Sequence, residues 1–351
     1  MVRPRQNSRS SLAVAAPFLI AAALSGGLAA LSAMGTAHAA DATLTLYSAQ
    51  HHQMVDMINA AFTKQTGIAV KTRYGEAPEM ASQISKEGAS SPADVYFTEN
   101  SPELMLLGEK GLLAPVDPGT LAQVPAKYSA PKGNWIGVFA RENVLDYNKT
   151  MIQGTDLPPS LMDLAKPAWK GKIAFAPTDA DFMPLVAAVS TLKGQAATVA
   201  WLKGLKANGQ VFDDDEGVVA AVDRGAVAVG IINSYYFERQ RTETGSDRMH
   251  SAIHHFADGD VGALVNVSGA AVLKSSKNPT VAQRYLAFLV SKPVQEAVAK
   301  ADVDFEYPLA AGVAANPALK PFDQLQPPDL TIAQLGDDKA AAKLLRRAGL
   351  L

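Results

Sequence analysis

The sequence predicts an α/β fold in which mostly parallel sheets are covered by helices. Short alternating apolar runs take turns with stretches whose apolar residues fall at helical spacing, the rhythm of βαβ units. The chain has 351 residues, too many for one ordinary core, so two domains are expected. No linker rich in Gly, Ser or Pro divides it. The chain is therefore expected to pass between its domains more than once.

The elements follow in order. Leu44 and Leu46 alternate with threonines as a first strand. Val55, Ile58 and Phe62 then recur at helical spacing, and Gly67 is the natural stop. Ile68, Val70, Thr72 and Tyr74 alternate as a second strand, Ala93 to Phe97 form a third, and Leu104 to Leu107 open another helix. A strand is expected over Ala226 to Ile232. The proline-dotted stretch Pro308 to Pro328 reads as a surface crossing before a final amphipathic helix from about Ile332 to Leu345. No repeat of fixed period appears.

Residues 1–39 stand outside this rhythm. Arg3, Arg5 and Arg9 precede the apolar run Leu12 to Leu31, and Ala37-His38-Ala39 supplies the small-x-small pattern of a secretory cleavage site. Gly26, Gly27 and Ser25 interrupt the run, which argues against a retained membrane anchor. A cleaved signal peptide over 1–39 is expected. The full chain carries −2 and the leader three arginines and no acid, so the mature chain carries −5. That balance disfavours nucleic acid and anionic membranes as partners. There is no cysteine, hence no disulfide, thiolate metal site, Cys nucleophile or lipid-modified Cys. Export into a periplasm, free of a membrane anchor, is the expected outcome.

Ligands of open parallel sheets collect beyond the carboxyl ends of strands. His51 follows the first strand and Glu99 the third, and the adjacent Tyr235 and Tyr236 follow the strand ending at Ile232. An isolated Tyr-Tyr pair is ordinarily packing. Beside an imidazole and a carboxylate it reads differently, because phenolate is a hard anionic donor and selects hard, highly charged cations. His52 is expected to be solvated, and Tyr74, Tyr96 and Tyr147 to be packing residues. No HExxH, nucleophile elbow or phosphate-binding glycine loop appears, which argues against an enzyme.

Several motifs occur in order. They are Gln50-His51, Ser91-Pro92-Ala93-Asp94-Val95 with Glu99, Pro167-Ala168-Trp169-Lys170-Gly171-Lys172-Ile173, Asn233-Ser234-Tyr235-Tyr236, Ser268 to Ser276, and Glu306-Tyr307-Pro308-Leu309. In these the chain, from about residue 43 onward, resembles the periplasmic ferric-iron-binding proteins, the receptors of ABC importers. The resemblance implies a type II periplasmic-binding-protein fold, two α/β lobes around a ligand cleft joined by crossing strands. It implies an N-terminal lobe of residues 40–141 plus 266–316 and a C-terminal lobe of 142–265 plus 317–351. It further implies Fe(III) as transported ligand, held by His51 and Glu99 from one lobe and Tyr235 and Tyr236 from the other. A permease and its ATPase are the implied partners of a monomeric receptor. The alternative is the same fold binding another cation or small solute.

One departure from the family pattern stands out. Some members complete the iron shell with a small anion, often phosphate, cradled by small neutral residues. Here the matching positions hold Asp179, Ala180 and Asp181, and Asp215 where an Asn would stand beside Asn233 of the strand. Carboxylates repel phosphate, by about 1 kcal/mol per pair at about 4 Å in bulk water and more near a protein surface. Phosphate is therefore disfavoured. Arg141 matches the family's cleft arginine and is expected either to hold carbonate bidentately or to pair with one of these aspartates. Asp179 or Asp181 is expected to ligate iron in place of the anion. The competing expectation turns both side chains to solvent and leaves Asp213 to Glu216 as a charged helix start.

Overall fold

The computed structural model describes residues 43–351, and the expected signal peptide lies outside the described residues. The first lobe opens as the apolar periodicity requires, with β1 (Thr43–Ala49), α1 (His52–Thr66), β2 (Ala69–Tyr74), α2 (Ala77–Glu87), β3 (Val95–Thr98), α3 (Ser101–Glu109) and the single turn α4 (Pro118–Leu121). Helix α1 stops where expected. Gly67 takes the left-handed conformation at φ 74° and returns its N–H to the Thr63 carbonyl, a cap that costs only glycine nothing in sterics. The edge strand β2 is half exposed, whereas β3 is buried along its whole length.

The long strand β4 (Ile136–Asn148) follows. After it come β5 (Ile173–Phe175), α5 (Phe182–Lys193), α6 (Gln195–Asn208), β6 (Gly209–Val211), α7 (Asp215–Asp223), β7 (Val229–Asn233), α8 (Ser234–Thr244) and β8 (Ser251–His254). The chain returns through β9 (Val265–Val272), α9 (Pro279–Leu289), α10 (Lys292–Lys300) and β10 (Tyr307–Pro308), and ends on α11 (Lys339–Ala348).

The strands run in the order β2-β1-β3-β9-β4-β7-β5-β6, with β10 and β8 also paired to β4. Pairings of β1 with β2 and β3, and of β5 with β6 and β7, are parallel. Every pairing made by β4 or β9 is antiparallel. The expected mostly parallel set is thus mixed. Alternating apolar residues mark a strand but not its direction, and the strands that carry the chain across and back must run against their neighbours. Strand β4 pairs with β9 from Ile136 to Glu142, then with β7 from Asn143 to Tyr147. Its change of partner falls between Glu142 and Asn143.

Two apolar clusters support these layers. The larger runs through Leu46, Phe97, Trp135, Phe139 and Trp201. The smaller gathers Val144, Val218, Val222, Ile232 and Phe237 beneath α7. Gly230 makes that close seating possible, since a Cβ there would lie 2.5 Å from Val218 Cγ1. The final helix begins later than expected. Ile332–Gln334 form one capped 3-10 turn, Gly336 then turns left-handed at φ 72°, and α11 starts only at Lys339. The Pro308 to Pro328 crossing is irregular, as expected, but pins itself inward through Leu309, Leu319 and Leu325.

Candidate metal centre

The carboxyl end of β1 delivers His51, which sits at the N-cap of α1. Its ring Nε2 lies 3.3 Å from Glu99 Oε2, just beyond β3, and its Nδ1 lies 2.7 Å from Asp304 Oδ2. From the other lobe, Tyr235 and Tyr236 occupy the first turn of α8 directly after β7. Their rings stack with centroids 4.1 Å apart, and the Tyr235 ring lies 4.9 Å from that of His51. The four residues expected at strand ends therefore meet at one place. Among the described residues no three His, Asp or Glu side chains form a group able to hold a metal. A cation in this cleft would need the phenols.

Behind the tyrosines lies a buried charge network. Arg141, fully buried on β4, donates from Nε and Nη2 to Asp181 Oδ1 at 3.2 and 3.0 Å. Its Nη1 donates to Glu306 Oε1 at 3.0 Å, and Nη2 also reaches Asn100 Oδ1 at 2.6 Å. Asn100 Nδ2 adds a third donor to Asp181 Oδ1 at 3.1 Å. The other oxygen, Oδ2, accepts a single bond, from the Tyr235 hydroxyl at 2.9 Å. Of the two roles expected for Arg141, the pairing with an aspartate is the one seen.

The acidic positions separate by environment. Asp181 is buried, so the expectation that it turns to solvent fails. Asp179 is spoken for by the backbone: Oδ1 accepts from the Asp181 N–H at 2.9 Å and Oδ2 from the Asp215 N–H at 3.1 Å. Asp215 turns inward and accepts from the Asn233 N–H at 3.1 Å. The helix-start reading holds for its neighbours, because Asp213, Asp214 and Glu216 are exposed and Asp214 caps α7 through the Gly217 N–H. The Asn233 side-chain Oδ1 is buried without a partner. His52 is exposed and stacks on Tyr74, with ring centroids 3.8 Å apart.

Protonation follows from burial and from who stands nearby. Burial pushes Asp181 up, but the Arg141 guanidinium and bonds from Tyr235 and Asn100 hold it below the usual carboxylate range. Asp179 is raised to about 7 by burial and by the charge of Asp181. Asp215 is raised well above its ordinary value by burial, then by Asp179 and Asp181. Glu306 rises to about 8 through burial and Asp304, against the pull of Arg141. Burial depresses His51, yet Asp304 and then Glu99 outweigh it and raise the ring well above its usual value. Burial and Asp181 raise Tyr235, and burial with Asp181 and Asp179 raises Tyr236. Both phenols therefore favour their protonated forms at neutral pH, and a cation must displace those protons to bind.

Four participants escaped the sequence: Asp304, Glu306 as a charge partner, Asn100 and Gln50. Gln50 Nε2 donates to Glu306 Oε2 at 2.9 Å. One signal was present, since Asp304 and Glu306 alternate with Val303, Phe305 and Tyr307 and so share a face of the extended chain. A cleft of about 340 Å³ opens over the site, lined by His51, His52, Glu76, Glu99, Glu216 and Arg239.

Convergent polar donors in a cleft of an α/β fold fit the binding of a small solute. Known proteins agree. The model of the bacterial extracellular solute-binding proteins matches residues 88–332, and the chain belongs to that family. It is 41% identical over 315 residues to the Fe(3+)-binding periplasmic protein of Serratia marcescens, covering 90% of this chain and 93% of that one. It is 36% identical to the major ferric iron-binding protein of Neisseria meningitidis serogroup B, over 95% and 97% of the two chains. Iron-bound HitA from Pseudomonas aeruginosa superposes with a TM-score of 0.85 at 47% identity, over 88% of this chain and all of that one. The family serves transport and is not enzymatic. No described helix is long and apolar enough to cross a membrane.

Proposed function

We propose that this chain captures ferric iron between its lobes and delivers it, in the periplasm, to an importer made of a permease and an ATPase. His51 Nε2, Glu99 and the phenolates of Tyr235 and Tyr236 bind the cation, and Asp181 Oδ2 takes the place of an exogenous anion. The observation that carries this reading is the meeting of two stacked phenols, an imidazole and a carboxylate over the Arg141–Asp181 pair. Arg141 and Asn100 occupy Oδ1 and leave Oδ2 aimed at the tyrosines. Both oxygens of Asp179 accept backbone N–H bonds, whereas the bond to Asp181 Oδ2 comes from Tyr235 and goes when that phenol gives up its proton. Bound Fe(III) lowers the phenol pKa far enough for both phenolates to form near neutral pH, and ligands from two lobes make the closed state the one that holds cargo.

The lobe division 40–141 plus 266–316 and 142–265 plus 317–351 is retained in this proposal. The partner change of β4 supports it, as does the seating of α11 against α5 and α6. Phe322 still rests on Tyr128 and Tyr307, so the tail crosses gradually. Relatives named periplasmic support the location, and a monomer suffices because one chain supplies every donor.

The test is an absorbance titration of the mature protein with Fe(III), in buffers with and without phosphate or carbonate. A visible phenolate-to-iron band with equal affinity in each buffer is expected, weakened in Tyr235→Phe and lost when Tyr236 is also changed to Phe. A colourless titration overturns the ferric reading. A strong dependence on either anion overturns the role of Asp181.

A further inference from the structure

The donors named above leave one buried carboxylate at the site unexplained. Asp304 is 1% exposed, and its Oδ2 lies 2.7 Å from His51 Nδ1, while Oδ1 has no partner. The contact spans 253 positions of sequence. It is held in register by a second link, since Gln50 Nε2 bonds Glu306 and the His51 N–H donates to Gln50 Oε1 at 2.7 Å. Adjacent residues of β1's end thus each meet a carboxylate of the 304–306 segment. The ring cannot turn without breaking a buried contact, and its far nitrogen faces Glu99 and Tyr235.

We infer that Asp304 is the positioning residue of the centre, fixing His51 with its proton on Nδ1 so that Nε2 alone is offered to the cation. A carboxylate only accepts, so the nitrogen facing it must donate. A cation can take only the nitrogen that surrenders its proton, and Nδ1 donates its own to Asp304. A carboxylate behind a ligating imidazole also raises the basicity of the ligand. Asp304 touches no cargo and acts through the ring. The inference rests on the ferric reading above, and the experiment separates the two.

Fe(III) affinity is measured in wild type, Asp304→Ala, Asp304→Asn, His51→Ala and the His51→Ala/Asp304→Ala double variant. Removing such a supporting group is expected to lower affinity roughly 10- to 100-fold when His51 is present. In the His51→Ala background the second change should do almost nothing. Equal losses in both backgrounds, or no loss in either, overturn the assignment and leave Asp304 a structural residue. Circular dichroism melts show whether each variant is folded, and Asp304→Asn keeps the side-chain volume if the alanine does not fold. A second readout uses Ga(III), a diamagnetic probe: the loaded wild type should show a slowly exchanging His51 Nδ1 proton by NMR. Its absence overturns the tautomer. Wild-type protein without a phenolate–iron band would sink the ferric reading instead.

Discussion

Asp181 and Asp215 are equally buried, each 4% exposed, yet they are driven in opposite directions. Asp181 meets a guanidinium and is held ionised. Asp215 has burial and two other carboxylates against its charged form, and its carboxyl is pushed well above the usual range. Burial alone does not decide whether a carboxyl group can serve a cation; the counter-charge does. One buried arginine thus converts a single member of an acidic cluster into an anionic donor, and its neighbours respond by keeping protons. Glu103 on α3 and Asp338 before α11 repeat the uncompensated case on the groove that their helices line, with Glu103 raised to about 8 and Asp338 to about 7.

The comparison can be broken most forcefully at its source. Arg141→Met would leave Asp181 and Glu306 buried without their cation and should cost about 3–5 kcal/mol of stability, read by urea unfolding. An unchanged midpoint would show that Asp181 and Glu306 do not depend on Arg141 for a counter-charge. Asp181→Asn comes next. It should weaken Fe(III) at least about tenfold, or about 1.4 kcal/mol, and should make the remaining affinity respond to carbonate because Arg141 is released. Retained anion-independent affinity would place the donor elsewhere.

The Glu103–Asp338 pair sharpens the comparison through pH. Their ordinary values of 4.5 and 3.8 are raised in the folded state, chiefly by burial. The folded chain therefore holds protons that the unfolded chain has lost, and the stability they lend is present below those ordinary values. It is lost as pH climbs toward 8. Unfolding free energy should fall across that window, with a contribution on the order of 1 kcal/mol after solvent screening in the groove. Glu103→Gln should flatten the slope, and an identical slope would exclude the pair. The smallest effect is expected from Asp215→Asn. It removes a carboxyl already pushed toward its neutral form and keeps an acceptor for the Asn233 N–H, so it should cost less than about 1 kcal/mol and leave the iron titration unchanged.

These residues also show what a sequence can carry. His51, Glu99, Tyr235 and Tyr236 were legible because strand ends are local features and their donor chemistry is intrinsic. Asp181 was legible only as a pair of alternatives, since the choice over Asp179 depends on which backbone N–H groups each faces. Asp304 gave only the weak signal of its alternation with Val303 and Phe305, because its partner lies more than two hundred residues away. The late start of α11 was missed because Ile332 and Leu335 keep helical spacing across a turn that Gly336 then breaks. Strand direction was missed because side-chain alternation is the same in either sense.

The crossing strand has a mechanical meaning. Arg141 stands one residue before Glu142, where β4 leaves β9 for β7. If the lobes rock, that point is the pivot, and a group's travel grows with its distance from it. The guanidinium beside it would then travel less than groups farther from the pivot. The gate can open and shut around a counter-charge that stays close to its post.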